Sequence, residues 1–420
     1  MLKSILSTAT FRQSQITIFG TIVNGGLGVL FYIFLARFLG PADFGLLIVT
    51  ITALTLIADV ADFGINNSLI RFVPKYIKDK QTRAYQFLKL ALELKIIIFL
   101  IVVPLGWILA NFLAVTFFKK EVLTSPLQLA FIGAGGALLF SFSTSTLTAL
   151  QSFWTWSGIQ IGVNLFRLLA IITIWYLGIS NLTSSISVYV IMPFIGFVAA
   201  FFFLPRDFLR VKKEFSVAKE FFSYSKWMAG FILLAAFSAR LDTFIAARLL
   251  SPAEIGFYGA ANQLVTVIPQ IVSAIGTVMA PKMAGMTNKT ELITYLKKAQ
   301  LLVSGLAVLG ILILPIVIFL IPLIYGLAYA QSVPLLFTIL FFAMLVFLIS
   351  IPIHTSVFYY FGYPQLFIWI SLGHLAIIAV VGWYLISLYG AAGAAVTVLI
   401  GTIFNFFVPL VWVLRRLKYG

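Results

Sequence analysis

Runs of about twenty apolar residues follow one another along this 420-residue chain, each long enough to cross a hydrocarbon core of ~30 Å as a helix. About twelve can be placed, at 15–37, 43–68, 88–114, 126–149, 155–178, 184–204, 225–249, 254–280, 299–324, 334–358, 364–388 and 392–414. In lipid no water satisfies the backbone N–H and C=O groups, so only helices or a closed barrel can span. A barrel strand needs ~10 residues of alternating polarity, and that alternation is absent. The chain is 62% hydrophobic and 10% charged, whereas soluble domains carry roughly 25% charged residues. The expected fold is an all-α membrane protein of about twelve transmembrane helices.

The stretch Ala36-Arg37-Phe38-Leu39-Gly40-Pro41-Ala42-Asp43-Phe44-Gly45 recurs half a chain later as Ala247-Arg248-Leu249-Leu250-Ser251-Pro252-Ala253-Glu254-Ile255-Gly256. Both copies have the grammar of a helix restart. Gly40 or Ser251 stands at the N-cap, Pro41 or Pro252 at the first helical position, and Asp43 or Glu254 near the positive end of the new helix. After the second and eighth runs, Arg71-Phe72-Val73-Pro74-Lys75 is echoed by Val278-Met279-Ala280-Pro281-Lys282. Two similar halves follow, each with an even number of spans, so both enter the membrane from the same side. They form a parallel pseudo-two-fold repeat about an axis along the membrane normal. The expected lobes are 1–204 and 227–420, each of six helices. They are joined by 205–226, a charged linker whose Phe215, Val217, Phe221 and Phe222 suggest an amphipathic helix on the inner surface.

The chain carries 28 lysines and arginines against 12 acids, a net charge of +16. Most of the bases fall on one face. Lys3 and Arg12 precede the first span. The segment from Arg71 to Lys95, the linker, the segment from Lys282 to Lys298 and the terminal Arg415, Arg416 and Lys418 supply the rest. The opposite face receives only Arg37, Lys119, Lys120 and Arg248. By the positive-inside rule both termini are cytoplasmic, and the excess charge meets anionic membrane lipids, not nucleic acid. The segment before the first long run has no small-residue cleavage site and reads as a tail leading into an uncleaved span. The polar stretches are too short for a fused nucleotide-binding or glycosyltransferase domain.

Cysteine is absent, so disulfides and thiolate metal sites are not available. No phosphate-binding loop of the Gly-x-x-x-x-Gly-Lys type occurs. His354 and His374 have no acids at ligand spacing, so the expectation is no metal and no cofactor. The informative residues are charges inside the spans, which cost at least ~2.5–3.5 kcal/mol at the membrane centre. Arg167 lies mid-span and needs either an acid on another helix or water. Arg240 and Asp242, two residues apart, point about 200° away from each other on a helix, so each must find a counter-charge elsewhere or line a cavity. Asp59 and Asp62 share a face; the pair could hold a proton or a coupling cation, or Asp62 could simply bond backbone or meet Arg71. Arg37 and Arg248, related by the repeat, either snorkel to the surface and bond helix-end carbonyls or flank the mouth of a central cavity. Asn24-Gly25-Gly26-Leu27-Gly28 permits close helix packing or a bend.

On the repeated turn, on Asp62-Phe63-Gly64-Ile65-Asn66 leading to Arg71-Phe72, and on Ala239-Arg240-Leu241-Asp242-Thr243, the chain resembles the Wzx-type oligosaccharide flippases of the polysaccharide transporter family. These sit in the superfamily that also holds multidrug extruders and the flippase for the peptidoglycan precursor. The resemblance implies two six-helix lobes around a cavity open alternately to each side. The implied cargo is a polyprenyl-diphosphate-linked oligosaccharide, moved to the outer leaflet of the cell membrane without any bond being made or broken. It further implies a monomer working with the polymerase and glycosyltransferases of its pathway. Arg37, Arg167, Arg240, Asp242 and Arg248 would face the cargo, with Asp59 and Asp62 available for ion coupling. The alternatives are a Na⁺- or H⁺-coupled multidrug extruder, whose cationic cargo favours carboxylates, and a multispan glycosyl-transfer enzyme, which the short outer loops oppose.

Overall fold

The computed structural model describes residues 9–419; Lys3 lies outside them, as does most of the tail expected before the first span. Among the described residues there is no strand, and ten helices are long and apolar enough to cross a membrane. Two of the ten are double. Helix α1, Ala9–Ala61, contains the 43-residue stretch Phe19–Ala61, which as a straight rod would measure ~65 Å, about twice the hydrocarbon thickness. It folds at Gly40, whose φ of 73° and ψ of 173° no helix contains. The last helix, Gln365–Tyr419, is interrupted in the same way at Gly390, with φ 60°. Counting each as two restores the expected number of crossings.

Between them lie α2 (Ile65–Tyr76), α3 (Gln81–Phe112), α4 (Thr124–Ala149), α5 (Phe153–Tyr176), α6 (Leu182–Phe201) and α7 (Phe215–Ser238). There follow α8 (Leu241–Leu249), α9 (Pro252–Val265), α10 (Val267–Ala284), α11 (Lys289–Tyr325) and α12 (Val333–Thr355), with Gln365–Tyr419 as α13. The chain divides into two compact units, one of Met1–Leu39 with Leu46–Phe237, the other of Gly40–Gly45 with Ser238–Gly420.

In the first unit the second span does not run to residue 68 as expected. The helix stops at Ala61, and Phe63 (φ 48°) and Gly64 (φ 76°) turn the chain through the left-handed region before α2 begins. Gly64 is required there twice over, because a Cβ would also strike Met228 and the Ser225 carbonyl of α7. Beyond the turn, Leu69, Phe72 and Val73 pack with Phe87 and Leu88 of α3, Phe142 of α4, and Phe208, Val217 and Phe221. The segment 205–226 is thereby fixed to this unit. Glu220 receives the Tyr76 hydroxyl at 2.8 Å and the Arg83 guanidinium at 3.0 Å, while Lys213 reaches Glu93 at 3.0 Å. Helix α7 is amphipathic in its first turns: Val217 and Phe221 are buried, while Phe215, Phe222 and Trp227 remain exposed.

In the second unit the two copies of the repeated turn meet. A Cβ on Gly45 would fall on the Pro252 carbonyl oxygen, and one on Gly256 would fall on that of Pro41. Two backbones this close tolerate no side chain at either position. Ser251 caps α9 in a reciprocal box: its hydroxyl accepts the Glu254 N–H at 3.4 Å, and the Ser251 N–H donates to Glu254 Oε2 at 3.1 Å. The seventh expected span, 225–249, is broken: α7 ends at Ser238 and α8 starts at Leu241. Arg240 occupies the N-cap, and Asp242 sits in the first turn, where the unsatisfied N–H groups favour an acid.

Candidate functional site

Helices α1 and α5 run parallel within the first unit. Gly20 lies against Ser157, Asn24 bonds Asn164 at 2.9 Å, Phe31 lies under Arg167 at 5.2 Å, and Phe38 stacks on Trp175 at 4.8 Å. The numbers climb together, which fixes the register. Gly20 is the packing residue of this pair: its missing side chain leaves the Ser157 hydroxyl its place.

At mid-span Arg167 is flanked by the rings of Phe31 and, from α6, Tyr189 at 4.7 Å. It donates to the Asn164 side-chain oxygen. A guanidinium has no acceptor, so that oxygen must face it, and the Asn164 amide nitrogen then donates to Asn24. Among the described residues the Asn24 amide nitrogen has no acceptor. Among the described residues no carboxylate pairs with Arg167. Its charge is carried by two aromatic faces, worth about 0.5–2 kcal/mol each, and by one amide oxygen. Gly26 and Gly28 of α1, and Gly158 and Gly162 of α5, border open space. The Asn24–Gly28 stretch therefore does not serve helix packing at Gly26 or Gly28. Arg167 is thus a half-buried cation in the span, held by aromatic rings and one amide oxygen, with no carboxylate partner among the described residues.

The other expected residues are placed elsewhere. Arg37 is exposed in the first unit. Asp62 is buried and takes the ammonium of Lys95 at 2.6 Å, not Arg71, whose guanidinium lies over Tyr224 at 4.3 Å. Asp59, one turn earlier, lies within electrostatic reach of the same lysine. Lys95, expected among the surface bases that follow the second span, is fully buried. In the second unit Arg240 and Arg248 are half-buried, Arg248 over the Trp383 ring at 5.8 Å. Asp242 accepts the Tyr258 hydroxyl. His354 meets the Asn405 carbonyl at 2.9 Å, and His374 Nδ1 lies 3.0 Å from the Ser238 hydroxyl. That last contact joins the C-terminal helix to the end of α7, as Asn164 joins α5 to α1, so each unit has a polar link between the corresponding helices of the repeat.

The sequence singles out Arg167 but not its surroundings, Phe31, Tyr189 and Asn164, nor the buried Lys95. The spacing of Asn164 and Arg167, three residues apart on one helix face, was a signal for the first pair. Nothing local marks Lys95, because its partner stands on another helix.

A family model described as polysaccharide biosynthesis protein matches residues 11–287. The chain is 23% identical over 283 residues to the succinoglycan biosynthesis transport protein ExoT of Rhizobium meliloti (strain 1021). That match covers 67% of this chain and 54% of the relative, so the chain spans about half the length of the curated protein it matches. Among solved structures, the lipid II flippase MurJ in an inward closed conformation has a TM-score of 0.74 at 15% identity, covering 94% of this chain and 87% of that one. An inward-facing multidrug resistance transporter of the MATE family, in the MOP superfamily, also reaches 0.74, at 11% identity over 93% and 94% of the two chains. These structural similarities show the fold: an all-α architecture of two six-helix lobes in parallel repeat.

Proposed function

Because the chain belongs to the polysaccharide biosynthesis protein family, we propose that it moves a polyprenyl-diphosphate-linked oligosaccharide across the cell membrane. The direction is from the cytoplasmic to the outer leaflet, by alternating access, with both termini cytoplasmic. The observation that carries this reading is Arg167: a guanidinium at mid-span, backed by aromatic rings and free of any described carboxylate. A diphosphate is too polar to cross hydrocarbon alone. Guanidinium donors can replace its hydration with short, charge-assisted hydrogen bonds, and the Asn24 amide adds a neutral donor beside them. Arg37, Arg240 and Arg248 are further cations along the cargo's route, while Asp242 is committed to Tyr258.

In this reading the lobes 1–204 and 227–420 move the cargo, with 205–226 between them, as a monomer supplied by glycosyltransferases and drained by a polymerase. No bond is made or broken, so the reaction is transport. A potential negative inside drives an anion outward by ~2.3 kcal/mol per charge per 100 mV, which lets the cycle proceed without an ion gradient. A cation extruder would need carboxylates facing its cargo. The MATE relative shares the fold, but here Asp62 is neutralised by Lys95.

The test is cellular. With Arg167→Ala in place of the native chain, surface glycan should be lost and the lipid-linked intermediate should accumulate on the inner leaflet, at unchanged protein level. Normal surface glycan, with raised drug sensitivity instead, would transfer the assignment to the extruder.

A further inference from the structure

Lys95 is a buried charge in the first unit with three oxygen acceptors, and the proposed transport makes no use of it. Its ammonium reaches Asp62 Oδ1 at 2.6 Å, Ser141 Oγ at 2.7 Å and Asn66 Oδ1 at 3.0 Å. These acceptors stand at the end of α1, on α4 and on α2, and the lysine comes from α3, so four elements converge on one nitrogen. Each ammonium proton has one oxygen. The Ser141 hydroxyl spends its own proton on the Leu138 carbonyl at 2.9 Å and so offers the lysine only a lone pair. The second Asp62 oxygen takes the Asn66 backbone N–H at 3.3 Å. Lys95 has no exposed surface, and Asp62 is 5% exposed.

A carboxylate, an amide oxygen and a hydroxyl oxygen around a single positive point are the hard oxygen ligands that alkali and alkaline-earth cations select. We infer that Asp62, Asn66 and Ser141 form a monovalent-cation site in which the Lys95 ammonium is a tethered, permanent occupant. A coupling ion must arrive and leave, whereas this one is covalently held. Sodium and potassium therefore do not exchange at Asp62 in the native chain. The charge instead holds α2, α3 and α4 to the left-handed turn at Phe63 and Gly64. The inference concerns a different cluster from Arg167 and stands whether or not the cargo assignment does.

The experiment is thermal unfolding of the purified full-length chain in detergent, in sodium, potassium or choline chloride at equal ionic strength. The native protein should melt at one temperature in all three. K95A empties the ammonium position. It should melt lower in choline and regain a few degrees, saturably, in sodium or potassium, as ligand linkage requires. D62N/K95A should lose that response. K95A melting equally in all three salts would overturn the assignment, as would a sodium response of the native chain or one surviving in D62N/K95A. Should K95A not accumulate folded, K95M and D62N/K95M replace it. The double variant should then be the more stable, because K95M alone leaves a buried carboxylate without its cation; a double variant no more stable than K95M also overturns the assignment.

Discussion

Asn164 donates its side-chain amide to the Asn24 oxygen at 2.9 Å, and this bond decides which way Arg167 can be held. With its nitrogen committed to α1, Asn164 has only its oxygen left for the guanidinium. Two neutral residues thus orient a cation without neutralising it.

Asn164→Asp would keep the bond to Arg167 and supply the carboxylate that the native site lacks. The link to α1 survives when the Asn24 amide turns over to donate its nitrogen. The protein should be at least as stable as the native form, yet export should fall by about tenfold or more, since a hydrogen bond to a charged group is worth about 1.5–3 kcal/mol. Asn164→Leu should reduce both export and stability. Surface glycan measured against the amount of folded protein separates the two effects.

The reciprocal contact of Gly45 and Gly256 predicts a contrast among glycines. Gly45→Ala and Gly256→Ala should each cost about 1–3 kcal/mol of stability through overpacking, because the obstacle is backbone carbonyl and cannot turn aside. Gly26→Ala and Gly28→Ala meet nothing within reach. They should be neutral or stabilise by about 0.4–1 kcal/mol. Melting temperatures of the four variants in one detergent provide the comparison.

At the far end of the first unit, Glu220 gathers Tyr76, Arg83 and Lys75, the last at 3.5 Å. Glu220→Gln should loosen the segment 205–214 and speed its cleavage in limited proteolysis several-fold. Salt above physiological strength should narrow the difference between variant and native chain, because these partly exposed pairs are screened over a Debye length of about 8 Å.

Much of this fold could be read before any coordinate. The turn at Ser251-Pro252-Ala253-Glu254 forms the capping box that its residues allow, and Gly40 takes the dihedral that only glycine adopts without strain. Both signals are local, so a linear reading captures them. Hydropathy failed at the breaks after Ala61 and Ser238, because averaging over a span passes over Asp62 and Asp242, whose partners Lys95 and Tyr258 come from other helices. It failed for Lys95 for the same reason: a lysine four turns into α3 looks like any basic residue near a span until Asp62 is brought to it from another helix. Arg167 was legible because a lone arginine in an apolar run is costly wherever it points. Its aromatic and amide surroundings, contributed by α1 and α6, were not.

The most direct test is reconstitution. The purified chain is placed in vesicles with a polyprenyl-diphosphate oligosaccharide, and movement of the sugar between leaflets is followed with an impermeant enzyme or lectin. The native chain should flip the lipid. Arg167→Lys, which keeps the charge but loses the planar fork, should be slower, and Arg167→Gln should reduce flipping to the level of empty vesicles. Flipping by Arg167→Gln at the native rate would contradict the claim that this guanidinium receives the cargo's phosphate.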